Sequence, residues 1–323
     1  MKKNKKEKLI SSVFSVLMIM LIILDICLCA LYYRTEMKNK KLHINLSKTQ
    51  SLKDEFETKY NEDHKKLIEI EEKNKKKEVK NPAVKIPIIT FHRTVSHDVK
   101  VKHFKDSEWV NDISVTESEL KYLYDNGWKS IDLDEFYCWY NKDCEFEEKT
   151  FVMTIDDGDS EAYYIVLPVL EKYGFKATLF SIGSKIPETT QELNEPERRK
   201  LGFDIIKKLR EEKSLLQVES HTYNFHSELS NGKGVVSSKT KEEILKDFEL
   251  NEKYGFRYLA YPFGYYDSKF LDVISNYGNI KMAFKFKNGT YATRLDNKYE
   301  IARIKINSYM TLNDFKKWFS YAK

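Results

Sequence analysis

The stretch Phe151-Val152-Met153-Thr154-Ile155-Asp156-Asp157-Gly158 decides how this chain is read. Its first five residues are apolar or β-branched, the composition of a strand covered on both faces. Two carboxylates and a glycine follow with no spacer. Working outward, similar short runs stand at residues 86–91, 177–182, 215–220, 258–261, 282–286 and 301–306, and each reads as a strand. Helical patterns fall between them, at residues 116–126, 168–174, 196–212, 241–254, 270–277 and 312–319. Thr116 with Glu119 reads as a capping box, and Gly127 as the stop of that helix. Strands alternating with helices argue an α/β domain with a parallel sheet, open or closed into a barrel. The length from Ala83 onward, about 240 residues, suits one barrel domain.

In such folds chemistry gathers at the carboxyl ends of the strands. The notable polar residues fall there. His92 follows the first strand, Asp156 and Asp157 the second, His221 the strand at 215–220, and Pro262-Phe263-Gly264 the strand at 258–261. His226 stands five residues after His221. One Asp and two His make a three-ligand metal site with a place left for water. The other Asp is then free to act as a base on that water. Taken singly, Asp-Asp-Gly is more often a turn and a His pair more often surface decoration. Their concurrence at strand ends favours a site.

The chain has 323 residues with 41% apolar and 33% charged residues, too much apolar content for a disordered chain. Its formal +5 is unevenly spread: residues 1–82 hold 19 Lys and Arg against 12 Asp and Glu, and the rest 36 against 38. The basic excess therefore lies outside the α/β part, which disfavours nucleic acid as a partner. Residues 1–8 form a basic tail, and residues 9–33 are an almost unbroken apolar run of 25. A helix of that length crosses a membrane, and the flanking lysines favour a cytoplasmic N-terminus with the remainder outside. The expectation is a single-pass anchor in the cell membrane. A cleaved signal peptide, and hence a secreted protein, is the alternative. Residues 34–82 are rich in Lys and Glu and read as a charged stalk, helical or disordered, ending at Asn81-Pro82. Residues 83–323 then form the catalytic domain. Cys138 and Cys144, six apart, are open to two readings, a local disulfide or two free thiols.

The motifs resemble those of the polysaccharide deacetylases of carbohydrate esterase family 4, the NodB-homology domain. Thr154-Ile155-Asp156-Asp157-Gly158 is similar to the family's Thr-Phe-Asp-Asp-Gly. Ser220-His221-Thr222 with His226 is similar to its His-Ser/Thr pair and second His, spaced as in the poly-β-1,6-N-acetylglucosamine N-deacetylases of biofilm assembly. Tyr261-Pro262-Phe263-Gly264 resembles the third motif, and Pro87 to His92 the first strand. The resemblance spans roughly Lys85 to Phe319. It implies a distorted, incomplete (β/α) barrel and a hydrolase that releases acetate from N-acetylglucosamine residues of a surface polysaccharide. Asp157, His221 and His226 would bind a divalent metal, usually Zn2+, with Ni2+ or Co2+ as alternatives. Asp156 would be the general base, and the backbone N–H of Phe263 would hold the oxyanion.

Three departures stand out. No histidine follows His226, so the family's late Leu-x-His acid is missing, and His92 is the candidate in its place. Ala260 stands where many relatives carry the arginine that orients the base. Arg303, from another strand end, is the candidate replacement, with Arg257 and Arg93 as rivals. Ile155 replaces a Phe, a mild change. The expected substrate is a β-1,6-linked exopolysaccharide, with cell-wall peptidoglycan as runner-up and a non-catalytic glycan-binding relative as the reading from another class.

Overall fold

The structure, a computed structural model, describes residues 2–75, 79–287 and 290–320. Met1 of the basic tail, residues 76–78 of the lysine-rich run and residues 321–323 of the catalytic segment lie outside the described residues, as do the tail's side chains. The chain divides into two compact units.

The first unit is one helix, α1 (Lys2–Lys75). Its sequence contains no Gly or Pro, so nothing in the backbone chemistry interrupts it. From Leu17 to Tyr33 the apolar side chains are exposed around the whole helix. Such a surface matches apolar surroundings rather than water. By length and composition this helix is a candidate membrane span, a test that a signal sequence passes equally well.

In the second unit the described strands are short. In chain order they are β1 (Lys85–Ile86), β2 (Ile88–Phe91), β3 (Arg93–Val95), β4 (Val110–Asp112), β5 (Lys129–Ser130) and β6 (Thr150–Ile155). Then follow β7 (Ala177–Ser181), β8 (Leu216–Ser220), β9 (Tyr258–Ala260), β10 (Met282–Phe286), β11 (Ala292–Thr293) and β12 (Ile301–Lys305). Seven of them run parallel in the order β2, β12, β10, β9, β8, β7, β6, and β6 pairs back with β2, closing a barrel. The seam between β8 and β9 is the thinnest, with one residue pair, Ser220 with Leu259. Side chains complete it: the Glu219 carboxylate accepts the N–H groups of Arg257 and Tyr258.

Side chains alternate across each barrel strand, as strand geometry requires. On β6, Phe151, Met153 and Ile155 pack outward against α3 (Ile113–Asp125), α5 (Leu167–Tyr173) and α9 (Leu312–Ser320). Val152 points inward with Ile88, Phe180, Phe284 and Ile301. The helix α4 (Leu133–Tyr140) adds Phe136 and Trp139 to that interior cluster. A third cluster joins α7 (Lys241–Asn251) and α8 (Ser268–Tyr277) to β9 and β10.

Two sequence expectations are corrected here. The helix at 116–126 begins earlier, at Ile113, because Asp112 caps it by accepting the Ser114 N–H; Thr116 lies buried within the first turns. The helix expected from Pro196 starts only at Phe203, as α6 (Phe203–Glu211). Residues 196–202 instead make main-chain bonds to the segment after β6, through Leu201 N–H to Gly158 O and Ser160 N–H to Arg199 O. Two further helices are not among the sequence expectations: α2 (His97–His103) is short and mostly polar, whereas α4 carries Leu133, Phe136, Tyr137 and Tyr140 at helical spacing behind an Asp132–Glu135 capping box, a signal present in the sequence. Cys138 and Cys144 are joined as a disulfide, with Cα atoms 5.3 Å apart.

Candidate active site

The alternation on β6 that turns Val152 and Thr154 inward also turns Asp156 inward, at the mouth of the barrel. On β12 the same period carries Ile301 and Arg303 to the interior. The two meet: Arg303 Nη1 donates to Asp156 Oδ1 at 2.7 Å and Nη2 to Oδ2 at 2.9 Å. Both side chains are essentially inaccessible to solvent, 0% and 1% exposed. The guanidinium lies over the Phe286 and Phe180 rings, 4.8 and 5.3 Å from their centroids. Burial opposes charge on Asp156, but the Arg303 guanidinium together with His221 and His92 holds the carboxyl below its usual range. Ala260 therefore leaves no gap in the site, because an arginine arrives from a different strand.

Asp157 turns the chain out of the barrel. Its φ is 81°, in the left-handed region, and Gly158 follows at 77°. A Cβ on Gly158 would come within 2.9 Å of Ser181 Cα, so the turn needs glycine there. Asp157 Oδ1 lies 2.8 Å from His226 Nε2 and 3.8 Å from His221 Nε2. Burial opposes the charge of Asp157 too, yet its bond with His226 and the nearby His221, His92 and Arg198 hold it well below the ordinary carboxylate range.

His221 comes from the end of β8 at the thin seam. Its Nδ1 donates to Ala260 O at 2.8 Å, which aims Nε2 at Asp157. Burial pushes its pKa down to about 4, so the ring is neutral near pH 7 and its Nε2 lone pair is available. The loop to His226 is tightly held. Thr222 has φ 63°, its hydroxyl accepts the Phe225 N–H, and the Asp247 carboxylate on α7 accepts the N–H groups of Tyr223 and Asn224 at 2.7 and 2.8 Å. That folding of the loop brings two histidines five residues apart into ring contact, with centroids 5.0 Å apart.

The ligand atoms of Asp157, His221 and His226 lie within 4.8 Å of one another. Two imidazole nitrogens and one carboxylate oxygen converge there, a donor set that suits a divalent ion such as zinc in place of the proton between His226 Nε2 and Asp157 Oδ1, with a coordination position left open.

The cavity above the cluster has a volume of about 390 Å³. His92, Asp156, Asp157, His221, His226 and Phe263 all border it. His92 is buried edge-on against Trp109, 4.5 Å between centroids, with its Nδ1 unpartnered among the described residues. Burial lowers its pKa, with Asp156 and Asp157 pulling the other way. Phe263 adopts φ 57° and rests its ring on His226. Asp157, Thr222 and Phe263 are three of the five non-glycine residues with positive φ among the described residues, so backbone strain concentrates here. The rival arginines are engaged with other acids: Arg257 pairs with Asp134, and Arg93, although it borders the cavity, pairs with Glu161. Sequence reasoning missed Arg198, Trp109 and Asp247. None sits in a motif, and Arg198 fell in a stretch misread as helix.

A closed parallel barrel with a polar cluster at its strand ends places the molecule among the barrel-type α/β enzymes. Residues 143–280 match the family model for polysaccharide deacetylase. The poly-beta-1,6-N-acetyl-D-glucosamine N-deacetylase of Staphylococcus aureus (strain MSSA476) is 28% identical over 228 residues, 67% of this chain and 75% of that protein. In fold, the chain is similar to the Streptococcus pyogenes deacetylase PplD (TM-score 0.59, 19% identity, 73% of this chain and 98% of that one). IcaB from Ammonifex degensii is similar to the same degree (TM-score 0.59, 18% identity, 74% and 97%). Residues 143–280 thus match a polysaccharide deacetylase domain, and the chain has the fold of the solved deacetylases it resembles.

Proposed function

We propose that this chain is a metal-dependent N-deacetylase that removes acetyl groups from N-acetylglucosamine residues of a β-1,6-linked surface polysaccharide. The observation that carries the reading is the Asp157, His221 and His226 cluster beside a separate carboxylate, Asp156, clamped by Arg303. A site for binding alone has no use for that second, rigidly held acid. The β-1,6 linkage rests on the similarity to the S. aureus enzyme and the five-residue histidine spacing.

Asp157, His221 and His226 would hold the ion. When bound, a divalent metal supplies a Lewis acid for the acetamide carbonyl and acidifies water. Asp156 accepts the proton of the attacking water; Arg303 fixes both its oxygens so that it does not swing away. The Phe263 N–H, presented by the strained turn after β9, donates to the oxyanion. His92, pressed against Trp109 and bordering the cavity, relays the proton that Asp156 took from the water on to the departing sugar amine, which leaves both side chains as they began. The products are acetate and a free amine. Residues 9–33 act as a membrane anchor that keeps the enzyme at the cell surface, and residues 34–82 as its stalk.

Acetate release by the full chain purified in detergent tests this. The substrates are β-1,6 and β-1,4 N-acetylglucosamine oligomers and peptidoglycan, with chelator and with zinc restored. Chelator-sensitive release, fastest on β-1,6 oligomers, is expected. Release only from peptidoglycan would overturn the substrate, and no release from any of them would overturn the activity.

A further inference from the structure

Residues 187–202 run as an irregular strap that borders the cavity through Arg198. It is tied down along its length. Arg93 donates Nε to Glu161 Oε1 at 2.7 Å and Nη2 to the carbonyls of Glu195 and Glu197. Ser96 N–H donates to the Glu195 carboxylate. Arg199 and Leu201 pair with the main chain after β6, and Gly202 N–H donates to Thr190 Oγ1. These ties deliver one side chain to the cluster, Arg198.

Arg198 Nε donates to both oxygens of Asp159, at 3.0 and 3.1 Å, while Nη2 spans Asp159 Oδ2 at 3.0 Å and Asp157 Oδ2 at 2.6 Å. Lys200 Nζ donates to Asp159 Oδ1 at 2.6 Å and to Asp157 O at 2.8 Å. Asp159 is buried, does not itself border the cavity, and has no part in the chemistry proposed above. Its placement makes sense as the anchor for Arg198. The consequence falls on Asp157, whose Oδ2 is occupied and whose Oδ1 alone faces His226 and His221.

We propose that Arg198 is a positioning residue for the metal: anchored by Asp159, it pins Oδ2 of Asp157 so that the carboxylate offers only Oδ1 to an ion shared with His221 and His226. The inference rests on the metal-site reading above. Charge alone would act in the opposite direction, because a guanidinium beside a ligand repels a divalent cation. Orientation must therefore outweigh repulsion, as partners behind metal ligands commonly do at about 10–100-fold in affinity. Lysine keeps the charge but cannot bridge two carboxylates with a planar fork.

The test is zinc affinity of the full chain in detergent, by competition with a chromophoric chelator, together with the visible spectrum of the cobalt form. Arg198→Met and Arg198→Lys should each weaken zinc at least about tenfold and change the cobalt bands, with acetate release recovering in excess zinc. Asp159→Asn should act in the same direction and decides the matter if Arg198→Met does not fold, as judged by far-UV circular dichroism. Affinity in Arg198→Met equal to or tighter than the parent would overturn the proposal, and so would parental affinity in Arg198→Lys. A parent chain that takes up no zinc or cobalt would overturn the metal-site reading and this inference with it. A parent that binds while the variants bind equally well overturns the inference alone.

Discussion

Replacing Arg303 with Met tests the link between barrel geometry and the proposed base. The substitution keeps an unbranched side chain between the Phe180 and Phe286 rings but strips Asp156 of two charge-assisted bonds, at 2.7 and 2.9 Å. Both side chains are almost wholly buried and Asp156 meets solvent only through the cavity, so the abandoned carboxylate regains little solvation. Removing one member of such a pair costs about 3–5 kcal/mol. In a domain of this size roughly 2–4 °C is lost per kcal/mol, which predicts a melting temperature lower by roughly 6–20 °C. The melts belong in chelator, so that a bound ion does not add its own stabilisation. Asp156→Asn alone should also destabilise, by stranding the guanidinium. The double variant should lose less than the sum, with a coupling of at least about 2 kcal/mol. Activity should respond differently from stability. Far below its melting temperature, Arg303→Met should lose about 100-fold or more in kcat with little change in KM, because the acid is misplaced rather than the sugar released. A melting temperature within about 2 °C of the parent (about 0.5–1 kcal/mol), or a coupling below about 0.5 kcal/mol, would refute the clamp.

Further predictions concern other parts of the molecule. Asp156→Asn should lower acetate release by about 10²–10⁴ while zinc affinity stays within a few fold; an equal loss of both would make Asp156 a ligand rather than a base. Glu119 is buried on α3, and burial raises its pKa to about 8 from the ordinary 4.5. The folded chain therefore holds a proton that the unfolded chain releases between those values, so stability is full below pH 4.5 and falls as pH rises through 8. Glu119→Gln should remove that fall, gaining on the order of 3–5 kcal/mol over the parent above pH 8 and almost nothing at pH 4.5 in urea melts. A pH-independent difference would place Glu119 in a polar setting. Replacing Cys138 and Cys144 by Ser opens a short loop and should cost about 2 kcal/mol in thermal melts. Peptide mapping without reductant should recover the two in one linked fragment.

The sheet and the strand ends were readable because buried parallel strands leave a dense local signal. Six of the seven barrel strands fall within a residue of their expected bounds, among them β10 at Met282–Phe286. The helix at 196–212 misled because Glu197 to Lys200 resemble a solvated helix face. Their backbone finds partners after β6 instead, and their cations find Asp157 and Asp159. No local rule distinguishes the two outcomes, since the competing partners lie about 40 residues away. Asp247 was invisible for the same reason: an acid within an amphipathic helix looks like surface until its neighbours, the Tyr223 and Asn224 amides, are known.

By itself the sequence determined which residues end each buried strand, because hydrophobic run length and turn glycines are local properties. That placed Asp156, Asp157, His221 and His92 on one face before any contact was known. It also marked Leu9 to Tyr33 as too apolar for water. Tertiary structure decided which charge meets which. Three arginines could have faced Asp156 on sequence grounds, and only barrel closure, which turns every second residue of β12 inward, delivers Arg303 to it. Likewise the order around the ring puts β8 beside β9 with a single paired residue, and His221 fills that opening with its Nδ1, leaving Nε2 bare. Pairing partners in a closed sheet are set by long-range register, and register is a property of the whole ring, not of any one strand.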